Sequence, residues 1–552
     1  MPTAHVTSEI TGVKHSSTPA ADQEPGAGYR RGPSETFMLF AASIATRLLL
    51  PVASASSIAA PANIAGPDSG PATADPAAVF FNPAAIAPLG SFQALIDAQV
   101  SFVHIDAVTT RHDGLDPNTC SDASDPTTCE AYDPAVADVP VPVFLAAVTY
   151  QPWKDRLTLG VAATDNFVGG GDYSKSTEDP THVWTRYQGI NTKIVTIGVT
   201  GAVGLTVVDG VHVGGGGTFV LDMIAAYQAS DPLGTEGRGF DGTGYSTDVL
   251  LTADASGHHA TWNAGLFFDR WKEVQVGASY TSGGTFHAEG DASLDVPEFL
   301  STTGGITVPG QVTVNMPLPA VIRVGLASQV TDDLKLGATL ESYQWGSCCG
   351  DHDGDIQIDV VNEAGVQMGP DDGIALEVPE TSYNPRRLWS ALNVSVNGGY
   401  QVAPRVWLGG RVGWDQYAVP DEAVSPTNLD FTAWGLQGAA RVRVAGPLTL
   451  GLSYTHFFLG TRTITDAAWD VRDDTDPAYE DEYFSPKNPY VAGTNGTYSG
   501  HVNTVGLRVG VDLDYKKRNQ KAGHPPGQGG GHEGKGGGHE GKGGKAHGEN
   551  KP

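Results

Sequence analysis

Long apolar runs are missing from this chain of 552 residues. No mature segment offers the ~20 apolar residues that a membrane-crossing helix needs, and a mean hydropathy of −0.18 is too polar for a helical membrane protein. Basic residues are scarce as well. Lys and Arg number 33 against 62 Asp and Glu, for a net charge of −29, which argues against nucleic acid as a partner because phosphate contacts need clustered cations. Only four cysteines occur, none in CxxC or Cys/His zinc spacing. G-x-S-x-G and H-E-x-x-H are also lacking, so no nucleophile elbow or zinc-protease helix is present. The glycine run Gly214–Gly217 has strand on both sides and no helix to present amides to a phosphate. It reads as a strand packed closely against another segment. No catalytic residue and no cofactor is expected.

What the chain does have is alternation. From about 91 to 515, apolar and polar residues alternate with no break in composition. In Leu507–Tyr515 the odd positions are apolar and the even ones are Gly or charged. In Arg405–Tyr417, Val406, Leu408, Val412 and Trp414 share one face, with Arg405, Arg411 and Asp415 on the other. Leu448, Leu450, Leu452 and Tyr454 line up likewise. Six tight turns punctuate the runs, at Pro152–Asp155, Asp209-Gly210, Asp269–Lys272, Thr331–Asp333, Ala403-Pro404 and Gly446-Pro447. Seven long connections lie between them, near 111–138, 169–190, 230–245, 290–311, 346–386, 417–427 and 461–498. Seven long loops and six short turns make about fourteen strands. Even strand numbers, short turns on one side and long loops on the other describe a transmembrane antiparallel β-barrel of the bacterial outer membrane. A soluble sandwich would alternate too, but the charged face recurs around the whole count.

The ends read differently. Arg30-Arg31, the apolar run Phe37–Val52 and Ala53-Ser54-Ala55 form a secretory signal with cleavage after Ala55, so 1–55 is an N-terminal extension and signal peptide, and the simplest start of translation lies after Met1. Residues 56–90, small and Pro-rich, are too short for a domain and suit a plug in a lumen. Residues 516–552 form a Gly/Lys/His-rich tail with nothing apolar to bury, which is expected to be disordered. Its His524, His532, His539 and His547 could hold a soft divalent metal only weakly.

All four cysteines fall in long connections, Cys120 and Cys129 in one and the neighbours Cys348 and Cys349 in another. Disulfides are expected in an oxidising compartment, and three connectivities are open. Cys120–Cys129 is the simplest. Adjacent cysteines can close only a strained ring, so Cys348 and Cys349 are candidates for bridges to the other loop. Asp351, Asp353 and Asp355 space carboxylates like the start of a calcium loop but lack the downstream Glu of an EF-hand. The acidic loops are solvated, or are bridged by divalent cations to lipopolysaccharide.

The segment Asp75–Ile86, with Asn82-Pro83-Ala84 placed just before the first strand of such a barrel, resembles the FadL-like family of outer-membrane transporters for long-chain fatty acids and hydrophobic compounds. The resemblance covers roughly 56–515 and agrees with the strand count, since that family is built on fourteen strands. It implies that 56–90 is the hatch, with Asn82, Pro83 and Ala84 as its signature. The third and fourth long loops carry the apolar residues Leu233, Phe240, Val296, Phe299, Leu300 and Ile306, which the resemblance assigns to an outer apolar groove and which packing of the two loops onto each other explains equally well. The resemblance also implies a lateral gap at a kinked third strand, where Asp165 and Asn166 precede Gly169, Gly170 and Gly171, all poor strand formers. Arg323 and Arg411 should point into the lumen by alternation and could grip a carboxylate bidentately, or pair with lumen acids such as Asp415. The expected partners are a hydrophobic small molecule, outer-membrane lipid and lipopolysaccharide, with the protein a monomer. The rival functions are a general diffusion porin for polar solutes and a surface receptor or adhesin.

Overall fold

The structure is a computed structural model. It describes residues 64–109, 134–177, 183–230, 249–271, 273–298, 301, 304–350, 356–374, 381–384, 386–465, 467 and 494–513. The signal region, the C-terminal tail, Cys120, Cys129, Asp351, Asp353 and Asp355 lie outside the described residues.

The described residues form nineteen antiparallel strand segments that build one closed barrel of fourteen strands. The first six are β1 (Phe92–Thr109), β2 (Ala135–Trp153), β3 (Leu157–Asp172), β4 (Asn191–Val208), β5 (Val211–Ser230) and β6 (Val249–Trp271). β7 (Val274–Thr281) and β8 (Gly284–Val296) succeed each other along β6 as one interrupted barrel strand. β9 (Ile306–Leu318) and β10 (Val321–Gln329) form the next in the same way, pairing with β8 and β7. β11 (Leu334–Tyr343) then pairs with β14 (Ala391–Ala403), while β12 (Ile356–Asn362) and β13 (Thr381–Asn384) make a hairpin in the connection and extend the sheet against β9. β15 (Val406–Asp415), β16 (Ala433–Ala445), β17 (Leu448–Leu459) with the short β18 (Arg462–Ile464), and β19 (Gly496–Asp512) complete the wall. β19 pairs with β1 from Gln93↔Asp512 to Thr109↔Gly496 and closes it.

All six short turns fall where Gly, Pro or Asp interrupts the alternation, and they share one end of the barrel. The connection expected over 290–311 is shorter, because β8 runs to Val296 and β9 starts at Ile306. Alternation simply continues there through Ala292, Leu294, Val308 and Val312, all buried, and Pro309 and Gly310 sit inside a strand rather than in a loop.

Alternation decides which side chains meet lipid. Along β10, Ile322, Val324 and Leu326 are 43–49% exposed on the outside, and Arg323 between them is 4% exposed inside. Two aromatic levels bound the lipid belt. On β6 these are Trp271 at the short-turn end and Trp262, whose ring lies 5.1 Å from Tyr280. Their separation along a strand rising ~3.3 Å per residue, corrected for a tilt of about 40°, gives about 23 Å, close to the ~25 Å apolar band of such barrels. β6 continues beyond Trp262 to Val249, so the wall stands well clear of the membrane at the long-loop end.

Candidate functional site

The segment ahead of β1 sits inside the lumen, held by opposite chemistry on its two sides. Its helical turn Ala78–Phe81 and the 3-10 turn Pro83–Ile86 meet at Asn82, which is wholly buried. Pro83 fixes its own φ and drives the preceding residue extended, and Asn82 adopts φ −161°, ψ 100°. Its Oδ1 accepts from Ala84 N at 3.1 Å, and its Nδ2 donates to Pro71 O at 2.8 Å and Leu266 O at 2.9 Å. The wall makes room with glycine. A Cβ on Gly265 would strike Asn82 Oδ1, and one on Gly214 would strike the Pro83 carbonyl. That is the close packing expected of the glycine run. Ser279 Oγ donates to Phe81 O at 2.6 Å, and Thr158 Oγ1 to Ala87 O at 3.2 Å.

The other side of the segment is charged. Asp68 pairs with Arg441, Asp75 with Arg508 at 3.1 Å, and Arg411 donates to Ser69 O. The Arg441 guanidinium lies 4.1 Å from the Trp407 ring centroid, a cation–π contact. Burial pushes the Asp68 carboxyl up, but Arg441 and Arg508 outweigh it and hold the group well below its ordinary 3.8. At Asp75 burial wins over Arg508 and the carboxyl is raised. Arg323 faces the lumen as alternation requires. Its Nε lies 3.3 Å from Glu341 Oε1, its Nη1 donates to Thr281 Oγ1 at 3.1 Å, and it stacks 5.1 Å over Phe80. The two arginines singled out as carboxylate grips therefore both touch the N-terminal segment.

Towards the long-loop end the lumen turns apolar. Phe286, Leu294, Val312, Val314, Met316 and Met368 belong to a buried cluster contributed mainly by β5, β6, β8, β9 and β12. Phe167 of β3 and Ile194 of β4 pack against it. Phe167 also meets Trp345 edge-on, with ring centroids 6.2 Å apart. The cluster thus reaches the third strand.

At that strand the β2–β3 ladder ends early. β2 and β3 pair only from Trp153↔Leu157 to Leu145↔Thr164. Above this point β2 continues to pair with β1, and β3 with β4. A bulge between Asp165 and Phe167 bends β3 away, as an unpaired extra residue does. Asp165 closes the bottom of the opening, its Oδ1 accepting from Phe144 N at 2.7 Å. Ser176 closes the top, accepting from Val136 N at 2.9 Å and donating to Val136 O at 3.1 Å. Gly169, Gly170 and Gly171 lie between on the β3 side, and Gly170 has φ +121°, a conformation glycine alone adopts at little cost. The opening begins within the lipid belt. Phe144 pairs with Ala98 of β1, between the outward Ile96 and Val100. Pairing of the third strand was expected to break in this stretch; its ladder with β2 ends at Thr164, while β3 itself continues to Asp172 by pairing with β4 on either side of the bulge.

Other expectations are corrected. Cys348 and Cys349 bond to each other rather than to the other loop. The turn Trp345–Cys348 ends at Cys349, whose N donates to Trp345 O at 2.8 Å and whose O accepts from Leu388 N at 2.7 Å, so both sulfurs are spent locally. Val296, expected as an exposed groove residue, is 3% exposed and faces inward in β8. Leu233, Phe240, Phe299 and Leu300 lie outside the described residues. Among the described residues no cluster of metal-binding side chains occurs.

Residues 51–425 match the family model for outer membrane protein transport proteins of the OMPP1/FadL/TodX type. The chain belongs to this family. The FadL/TodX family consists of outer-membrane transport channels for hydrophobic compounds rather than enzymes, and this protein is accordingly a transporter of the bacterial outer membrane. Solved structures share its fold. A Pseudomonas aeruginosa FadL homologue superposes with a TM-score of 0.61 at 16% identity, over 84% of this chain and 100% of that one. The Pseudomonas putida toluene transporter TodX gives 0.54 at 16%, over 84% and 98%. The Ralstonia pickettii toluene transporter TbuX gives 0.50 at 16%, over 81% and 97%. At such identities the likeness shows the fold alone. No curated protein matches by sequence.

Sequence reasoning missed Asp68, Asp75, Arg441 and Arg508. Arg441 and Arg508 could have been found, since alternation puts both on the lumen face, but nothing local points to their partners across the chain.

Proposed function

We propose that the protein takes up hydrophobic molecules by facilitated diffusion, receiving them in the apolar cluster at the long-loop end and releasing them sideways into the membrane through the β2–β3 opening. Residues 56–90 act as a plug that keeps the lumen closed to water-borne solutes. The observation that carries this reading is the end of the β2–β3 ladder at Leu145↔Thr164 inside the lipid belt, with Phe167 joining that edge to the apolar cluster. A hydrophobic molecule following the path stays on apolar surface, avoiding the transfer cost of ~25 cal/mol per Å² that water would impose. The cargo is a long-chain fatty acid or another hydrophobic compound, in keeping with the toluene named for two structural relatives. A general porin fits less well, because Asn82, Phe80 and the Asp68–Arg441 pair occupy the lumen. A monomer suffices for this route.

The test is uptake by proteoliposomes carrying the purified protein. Entry of a fluorescent fatty acid or of toluene, with a disaccharide excluded, supports the transporter. Entry of the disaccharide alone supports the porin.

A further inference from the structure

One lumen group is neither part of the seat of the N-terminal segment nor apolar. Asp222 of β5 faces inward and is completely buried. In register it lies beside Thr196 of β4 and Gly257 of β6, and Gly257 in turn pairs with Ala288 of β8. Ile224, Ala255 and Ala288 of the apolar cluster therefore surround it. One carboxylate oxygen, Oδ2, is used internally: it accepts from His259 Nδ1 at 2.7 Å and from His287 N at 3.4 Å. The other, Oδ1, is buried without a partner. Among the described residues neither Arg nor Lys pairs with Asp222, whose one ionisable contact is His259. Asp222 is not a fortuitous polar residue in a loop. Leaving such an acceptor unmet in an apolar surround is unfavourable, so a group that meets it in transit relieves that cost.

We propose that Asp222, positioned by His259, is a recognition site for a hydrogen-bond donor on the cargo, so that the channel favours uncharged hydrophobic molecules carrying one O–H, such as alkylphenols or long-chain alcohols. A carboxylate accepts and does not donate. It therefore rewards a hydroxyl, gives nothing to a plain hydrocarbon, and bonds a fatty acid only when that acid's carboxyl carries its proton. The position lies on the proposed path. Thr196, the register partner of Asp222, is itself the partner of Phe167 at the opening. Asp165, at the lower lip, has a second buried unpartnered oxygen, Oδ2, which offers the same cargo another acceptor on its way out. This selectivity rests on the proposed transport route and deepens it.

Asp222→Asn gives a sharp test. Two N–H donors point at the Oδ2 position, so the amide places its carbonyl oxygen there and its NH₂ where Oδ1 was. The internal bonds survive, and the free position changes from acceptor to donor. Uptake of 4-octylphenol, octylbenzene and octanophenone is measured in proteoliposomes with wild-type and D222N protein, with β-content checked by circular dichroism. The expected result is that wild type takes up octylphenol about tenfold faster than octylbenzene. In D222N octylphenol should fall to the octylbenzene rate while octanophenone, an acceptor, rises. If wild type shows no preference for the phenol, the proposal is overturned even should D222N fail to assemble. If a folded D222N loses all three alike, Asp222 is only structural and the proposal is again overturned. If wild type transports none of the three, the transport route itself is wrong, an outcome distinct from both.

Discussion

Asp165 Oδ1 accepts the backbone N–H of Phe144 at 2.7 Å, one step beyond the last rung of the β2–β3 ladder at Leu145↔Thr164. A side chain takes over from the backbone ladder here, where β2–β3 pairing ends. Asp165→Ala leaves the Phe144 N–H without its acceptor, at a cost of about 1–3 kcal/mol. Asp165→Asn retains an acceptor and should keep most of that stability. Equilibrium unfolding of the reconstituted variants checks this, and equal destabilisation by Asn and Ala would contradict the assignment.

Gly170 shapes the far side of the opening. A Cβ there would meet the Thr192 carbonyl, and φ is +121°, so Gly170→Ala strains the backbone by about 1–3 kcal/mol. The expected outcome is a barrel that still assembles, since β3–β4 pairing extends to both sides, with hydrophobic uptake reduced several-fold. Unchanged uptake would place the exit elsewhere.

The charged side of the N-terminal segment should respond to acid with a definite sign. Asp68 is held below 3.8 by its arginines, so its stabilising contribution is fully present above the unfolded value and is lost as pH falls below it. Asp75 is raised, so it takes up a proton earlier on acidification, and its unfavourable burial is relieved. Seating should hold or tighten slightly from pH 7 towards 4 and loosen below about 3.8. Leak conductance in a planar bilayer should follow, flat to pH 4 and rising beneath. Arg441→Gln should bring leak to neutral pH, because it leaves Asp68 buried without its main partner. A leak that rises steadily from pH 7 downward would contradict the pairing.

Lipid-facing register is testable on β17. Leu452 is 57% exposed on the outer face, and Leu452→Arg should cost roughly 2–4 kcal/mol near the midplane. Thr449→Arg, facing the lumen near the short-turn mouth, should cost under about 1 kcal/mol. A refolding titration giving equal losses would mean that the faces are exchanged.

Much of this was legible in the residues. Alternation alone placed Arg323, Arg411 and Asp415 inside and Leu450, Leu452 and Leu507 outside, because a period of two leaves no freedom once one face is lipid. The close packing at Gly214 was legible because a glycine run inside a strand has few other uses. The end of the β2–β3 ladder was only half legible. Asp165 and the glycines marked the place, but whether pairing fails depends on β4 holding the strand from its other edge. The Asp68–Arg441 pair, 373 residues apart, and the His259–Asp222 contact had no local signal, since closure of a barrel brings together positions that no short pattern relates. The Cys348–Cys349 bond was misjudged because the turn that permits it is set by hydrogen bonds to Trp345 and Leu388.

The central claim is that a plugged barrel passes hydrophobic molecules and excludes polar ones. It is tested most directly by comparing intact protein with a variant lacking residues 57–80, reading ion conductance in planar bilayers and hydrophobic uptake in proteoliposomes from the same preparations. The intact protein should show low conductance with measurable uptake, and the deletion a large steady conductance with diminished uptake, because a fourteen-stranded barrel leaves an aqueous lumen once emptied. High conductance by the intact protein, unchanged by the deletion and unaccompanied by hydrophobic uptake, would contradict it.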